Sequence, residues 1–182
     1  MSRKYKANNP EGFYFITCTI IGWVDLFIRQ EYKDILINSL NFCIQNKGLK
    51  VHAYVIMSSH IHLIVSTEDG IPLSSVIRDF KTFTSKALLK SISDINESRR
   101  EWMLNKFSYE ATRVVRGSKF KLWQDGFHPV ELLTPAMAFQ KLEYIHNNPV
   151  AEKIVDEAED YVYSSARQYA GKVGELEIEY II

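Results

Sequence analysis

The stretch Tyr54-Val55-Ile56-Met57-Ser58-Ser59-His60-Ile61-His62-Leu63-Ile64-Val65 decides the architecture of this chain. Two apolar, β-rich runs flank the short Met57-Ser58-Ser59 turn, so the segment reads as two adjacent antiparallel strands. Side chains two apart on a strand point the same way. His60 and His62 therefore share one face, with Ile61 turned to the other. Such a pair offers two ligands for a divalent metal or two partners for a phosphate oxygen. A bare His-x-His more often marks the solvent face of a half-exposed sheet. Here Val, Ile and Leu surround the pair, a setting in which polar groups usually serve a purpose.

On the N-terminal side, the aromatic and β-branched run Phe13-Tyr14-Phe15-Ile16-Thr17-Cys18-Thr19-Ile20, within Gly12 to Leu26, predicts a first strand. Arg29 to Asn46 predicts an amphipathic helix on Tyr32, Ile35, Leu36, Leu40, Cys43 and Ile44, stopped by Asn46-Lys47-Gly48. After the hairpin, Pro72 opens a second helix running to about Ser91, with a buried stripe from Leu73 to Leu88. The polar stretch from about 94 to 118 is expected to be a mobile insertion, although Trp102, Met103 and Val114-Val115 imply that parts of it pack. Phe120 to Gln124 and Val130 to Leu133 flank Gly126 and Pro129 and predict a strand with an irregular middle. Thr134 suits an N-cap and Pro135 a first helical turn, opening a helix from Ala136 to Asn148 that Pro149 is expected to end. Residues 170–182 are left as a C-terminal tail.

Strand, helix, two strands, helix, strand and a last helix is the order of an α+β, ferredoxin-like (RRM-like) sandwich. Its antiparallel sheet carries helices on one face, and the last helix must reach the histidine face.

With 182 residues, 46% hydrophobic and 13% aromatic, the chain is sized for one core and is expected to form a single domain over 1–182. No apolar run approaches the roughly 20 residues of a membrane span, and Met1-Ser2-Arg3-Lys4-Tyr5-Lys6 leads into Ala7-Asn8-Asn9-Pro10 rather than an apolar signal core. The expectation is a cytoplasmic protein, associated with the nucleoid through DNA, that makes no membrane contact. Cys18 and Cys43 lack metal-ligand spacing and read as small buried thiols.

Formal net charge is zero, yet Arg78 to Lys121 holds eleven Lys/Arg against five Asp/Glu, and acidic residues dominate beyond Val150. A basic middle suits a phosphate-backbone surface. A solvated helix face with an exposed loop explains it equally well.

In the last predicted helix, Tyr144 and Asn148 stand one turn apart on one face. Separately, such residues are usually a packing tyrosine and a terminal cap. Their combination with the His pair is less ordinary. His60-Ile61-His62 within Tyr-Val-Ile-Met-x-x-His-x-His-Leu-Ile, then Trp123-Gln124-Asp125-Gly126-Phe127, Tyr144-Ile145-His146-Asn147-Asn148-Pro149-Val150 and Tyr163-Ser164-Ser165 follow in order. Together these motifs resemble the HUH single-tyrosine (insertion-sequence-200-like) transposases, most of all the REP-associated tyrosine transposases.

The resemblance implies that His60 and His62 bind a divalent metal, Mg2+ or Mn2+ in use, that Tyr144 is the nucleophile, and that Asn148 completes the metal shell. Asn148 departs from the Gln of many insertion-sequence members. The resemblance also implies a transposase that nicks and rejoins single-stranded DNA beside a hairpin through a 5′-phosphotyrosine, acting as a monomer or a homodimer. Arg113, Arg116, Lys119 and Lys121 are candidate phosphate contacts, and Trp123, Trp102 and Phe127 candidate stacking residues. A solvated or core role is as good a reading for each. Two further functions stay open: a hairpin-binding relic without cleavage, and a metal-dependent phosphodiesterase that uses water.

Overall fold

The computed structural model describes residues 7, 9, 12–113 and 117–181. A four-stranded antiparallel sheet holds β1 (Tyr14–Thr19), β2 (Leu49–Ile56), β3 (His60–Thr67) and β4 (Val130–Glu131), in the order β2-β3-β1-β4. Helices α1 (Gln30–Lys47), α2 (Leu73–Asp94), α3 (Arg100–Thr112), α4 (Pro135–Ala151) and α5 (Ala166–Tyr169) connect or follow the strands. This is the expected α+β, ferredoxin-like order, with β3 central.

Alternation along the strands divides the core into two layers. Ile16 and Cys18 of β1, Tyr54 and Ile56 of β2, and Ile61, Leu63 and Val65 of β3 pack with Leu36, Leu40, Phe80 and Leu88 of α1 and α2. On the other face, Phe15, Val55 and Ile64 meet Ala138, Leu142 and Ile145 of α4. These α4 positions fall three or four residues apart and make one apolar stripe.

The first strand is shorter than Gly12 to Leu26. After Thr19 the chain turns through 3-10 turns at Ile21–Trp23 and Leu26–Ile28, where Gly22 takes φ 64° and Trp23 φ 55°. Within 94–118, the stretch expected to be a mobile insertion, α3 buries Met103, Phe107 and Ala111 at successive turns. Buried Glu97 fastens the segment ahead of α3: its carboxylate pairs with Arg29 Nε at 2.9 Å and accepts from Tyr32 Oη at 3.2 Å. Val114, Val115 and Arg116 lie outside the described residues.

The last strand contracts to Val130–Glu131, while Trp123 makes an isolated bridge to Ile20. Helix α4 begins as expected, Thr134 Oγ1 accepting from Met137 N at 3.2 Å. Contrary to expectation, it runs through Pro149 to Ala151. Proline costs one backbone donor, and in a final turn the helix tolerates that loss. The segment 170–182, expected as a tail, lies partly against the sheet: Leu176 is buried, and Glu179 N donates to Val51 O at 2.9 Å. With Ile56 N donating to Tyr163 O and Ser165 N to Tyr54 O, both at 2.9 Å, the free edge of β2 is covered. Both cysteines are buried free thiols. Among the described residues, no helix is long and apolar enough to cross a membrane.

Candidate metal and tyrosine site

His60 and His62 open β3 on the sheet face turned toward α4. They are 8% and 5% exposed, and their ring centroids lie 4.7 Å apart with planes at 72°. Each Nδ1 has a hydroxyl beside it: Thr17 Oγ1 at 2.8 Å from His62, and Ser59 Oγ at 3.2 Å from His60. Thr17 is the cross-strand partner of His62. Holding Nδ1 on a neighbouring oxygen orients the ring and leaves Nε2 for ligation. Phe15 stacks on His62 at 5.4 Å.

Helix α4 brings Tyr144 over this face. Its hydroxyl lies 3.5 Å from His62 Nε2, and its ring meets that of His62 edge-on at 5.2 Å. Tyr144 is 48% exposed, half packed against the sheet and half open to a substrate. Lys141, one turn earlier, sets Nζ over the Phe15 ring at 4.6 Å and the Tyr144 ring at 5.3 Å, which places a cation on this face of the sheet. His146 points into the sheet, Nε2 2.9 Å from Ser165 Oγ. That hydroxyl also accepts from Tyr54 N at 3.0 Å, so His146 ties the tyrosine helix to β2.

Burial drives His62 down to about 3, assisted by the charges of His60 and Lys141. His60 is lowered by burial, and His146 falls to about 4 for the same reason. All three imidazoles are therefore neutral at pH 7, the form in which nitrogen can take a metal or a proton.

Asn148 is on the α4 face expected, but its Nδ2 donates to the Tyr144 carbonyl at 2.6 Å. Oδ1 is then the remaining acceptor of that side chain. Among the described residues, no group of three His, Cys, Asp or Glu stands close enough to hold a metal.

The other candidates scatter. Lys119 and Lys121 join Arg78, Lys81 and Lys86 around a cleft of about 620 Å³ between α2 and residues 118–127. Arg113 lies outside it, exposed at the end of α3 and 3.5 Å from Glu110, and Arg116 lies outside the described residues. Trp123 is 5% exposed, packed on Phe27 and Phe80 with Nε1 donating to Thr84 Oγ1 at 3.1 Å. It has no free face for a base. Phe127 is partly buried, and Trp102 is exposed.

Thr17, Ser59, Lys141 and Trp23, whose ring lies edge-on 5.5 Å from His60, were not singled out from sequence. Lys141 was within reach, three residues before Tyr144 on a predicted helix. Thr17 depends on strand register, which residue types alone do not give.

The family model described as transposase IS200-like matches residues 25–116, just over half of the 182 residues. The chain belongs to the IS200-like transposase family. The match includes both histidines and stops before α4. A solved REP-associated tyrosine transposase bound to a REP hairpin shares the fold with a TM-score of 0.66, at 16% identity over 100% of this chain and 94% of that one. A putative transposase from Deinococcus radiodurans gives a TM-score of 0.45, at 14% identity over 80% of this chain and 97% of that one. No curated protein matches this IS200-like chain by sequence at a significant level.

Proposed function

We propose that this IS200-like transposase is a metal-dependent single-stranded DNA endonuclease and strand transferase that acts at hairpins through a 5′-phosphotyrosine. The observation that carries the reading is the Tyr144 hydroxyl 3.5 Å from His62 Nε2, beside a second buried imidazole, in a chain of a transposase family. The solved transposase with a like fold holds hairpin DNA, which supports the choice of substrate.

In the reaction, Tyr144 Oη attacks phosphorus in line, forming the O–P bond as the bond to the 3′ oxygen breaks. One product is a 5′-phosphotyrosine and the other a free 3′-hydroxyl, so the ester energy is kept for rejoining. His62 Nε2 faces the phenolic hydroxyl and holds it over the His pair until that nitrogen is taken up in ligation. Lys141 Nζ, over the Tyr144 ring, adds positive charge near the attacking tyrosine, which favours an approaching phosphate.

Two neutral imidazoles with hydroxyl-anchored Nδ1 atoms, and the Oδ1 of Asn148, form a donor set suited to a divalent cation. Nitrogen ligands favour Mn2+ over the oxygen-seeking Mg2+. When bound, such a cation neutralises phosphate charge and stabilises the leaving oxygen. In this reading the protein acts as a monomer or a homodimer, in the cytoplasm on nucleoid DNA. Cleavage of a labelled single-stranded hairpin library with Mn2+ tests it. Cleavage by the wild type that is lost in Tyr144→Phe is expected, and cleavage that survives the substitution would assign the attack to water.

A further inference from the structure

Trp23 is 63% exposed and adopts φ 55°, a left-handed conformation that bulky residues avoid and that persists only where the surroundings impose it. The turn around it is held on both sides. Ile20 N donates to Ser59 O at 2.8 Å, Ile21 N to Leu122 O at 2.6 Å, Trp23 N to Ile20 O at 3.0 Å and Phe27 N to Ser58 O at 2.7 Å. Ser58 and Ser59 immediately precede His60, so the turn is bonded to the backbone that presents the first imidazole. The Trp23 ring then stands edge-on to His60, as Tyr144 does to His62. Two exposed aromatic side chains flank the His pair, and the proposed reaction uses one of them.

The other wall is α3. A Cβ on Gly22 would lie 2.8 Å from Lys106 Cε, so the lysine stem passes directly over the turn, and glycine makes room for it. Lys106 is 3.1 Å from Glu110, and Trp102, 53% exposed, lies one turn before it on the same face of α3. Exposed aromatic rings with a cation nearby are what unpaired bases and their phosphates bind, with little dependence on sequence.

We propose that Trp23, with Lys106 and Trp102, forms a stacking subsite for an unpaired nucleotide of single-stranded DNA next to the scissile phosphate. The subsite rests on the function proposed above for its orientation, but its binding is measurable without cleavage. Anisotropy with a fluorescein-labelled oligothymidylate of about 12 nucleotides, and with an abasic strand of the same length, compares wild type, Trp23→Phe and Trp23→Ala. Alanine, like tryptophan, carries a Cβ and so gains none of the left-handed freedom that glycine would bring, and thermal melting checks that each variant is folded.

The expected result is about ten-fold weaker oligothymidylate binding by Trp23→Ala, binding within about three-fold of wild type by Trp23→Phe, and no difference among the three on the abasic strand. Equal binding by Trp23→Ala and wild type, equal losses on both strands, or no binding by the wild type would overturn the subsite. A Trp23 effect in a protein that forms no covalent adduct with hairpin DNA would leave the subsite standing and remove the tyrosine chemistry.

Discussion

The Tyr144 hydroxyl and the His62 imidazole face each other across 3.5 Å at Nε2, while Thr17 occupies Nδ1 of the same ring. Nε2 is thus the atom that both the phenol and a metal ion would use. Tyr144 must leave His62 Nε2 whenever a cation is bound there, and the freed hydroxyl is then available to a phosphate. Tyr144→Phe removes the competitor without removing a ligand. Calorimetric titration with Mn2+ is expected to show affinity equal to or above wild type for Tyr144→Phe, and at least ten-fold weaker for His60→Ala and His62→Ala. Weaker binding by Tyr144→Phe would make the phenol a ligand and reverse this assignment.

Under the proposed function, Thr17 acts through its contact with His62 Nδ1. Thr17→Val keeps the β-branched shape of a strand residue and deletes only the hydroxyl at Nδ1. Losing an outer partner of a metal-binding histidine typically costs about 10- to 100-fold in affinity, and the same Mn2+ titration should show that loss with an unchanged melting temperature. Unchanged affinity would mean that packing by Phe15 suffices to orient the ring.

The hairpin, the helix that carries Tyr144 and the strand order were legible because each writes a periodic signal: alternation around His60 and His62, and a three-to-four spacing through Leu142 and Ile145. Helix α3 was not, because its buried residues Met103, Phe107 and Ala111 stand singly among charges, leaving a stripe too thin to separate from a solvated loop. Trp123 looked like a stacking residue because burial is decided by Phe27, Phe80 and Thr84, which are distant in sequence. Asn148 was placed on the correct turn, but its bond to the Tyr144 carbonyl is a rotamer choice that no pattern records.

Buried neutral histidines make the fold sensitive to acid. His62 is lowered to about 3 and His146 to about 4 from an ordinary value of 6.5, so below about pH 6.5 the unfolded chain takes up protons that the folded chain refuses. Stability is therefore full above that pH and falls as pH drops toward the folded values. Urea unfolding at pH 7 and pH 4.5 should differ by about 5 kcal/mol from these two groups, with about half that difference in His146→Gln. A pH-independent midpoint in the wild type would show that both rings take up protons in the fold.

Glu97 holds the start of α3 through Arg29 and Tyr32, with its side chain only 1% exposed. Removing it leaves Arg29 without its partner and a buried phenol without its acceptor. Glu97→Ala is expected to lose about 3 kcal/mol in denaturant unfolding and to loosen α3 first, seen as faster amide exchange at Met103 and Phe107. Unchanged exchange there would place the hold on α3 in its own packing.

The decisive measurement is the polarity of the covalent adduct. A cognate single-stranded hairpin carrying distinct labels at its two ends is incubated with the protein and Mn2+ and resolved under denaturing conditions, wild type beside Tyr144→Phe. An adduct that retains the 3′-end label, releases the 5′-labelled fragment with a free 3′-hydroxyl and is absent from the variant is the predicted result. An adduct that survives in Tyr144→Phe, one that retains the 5′-end label, or cleavage with no adduct would contradict it.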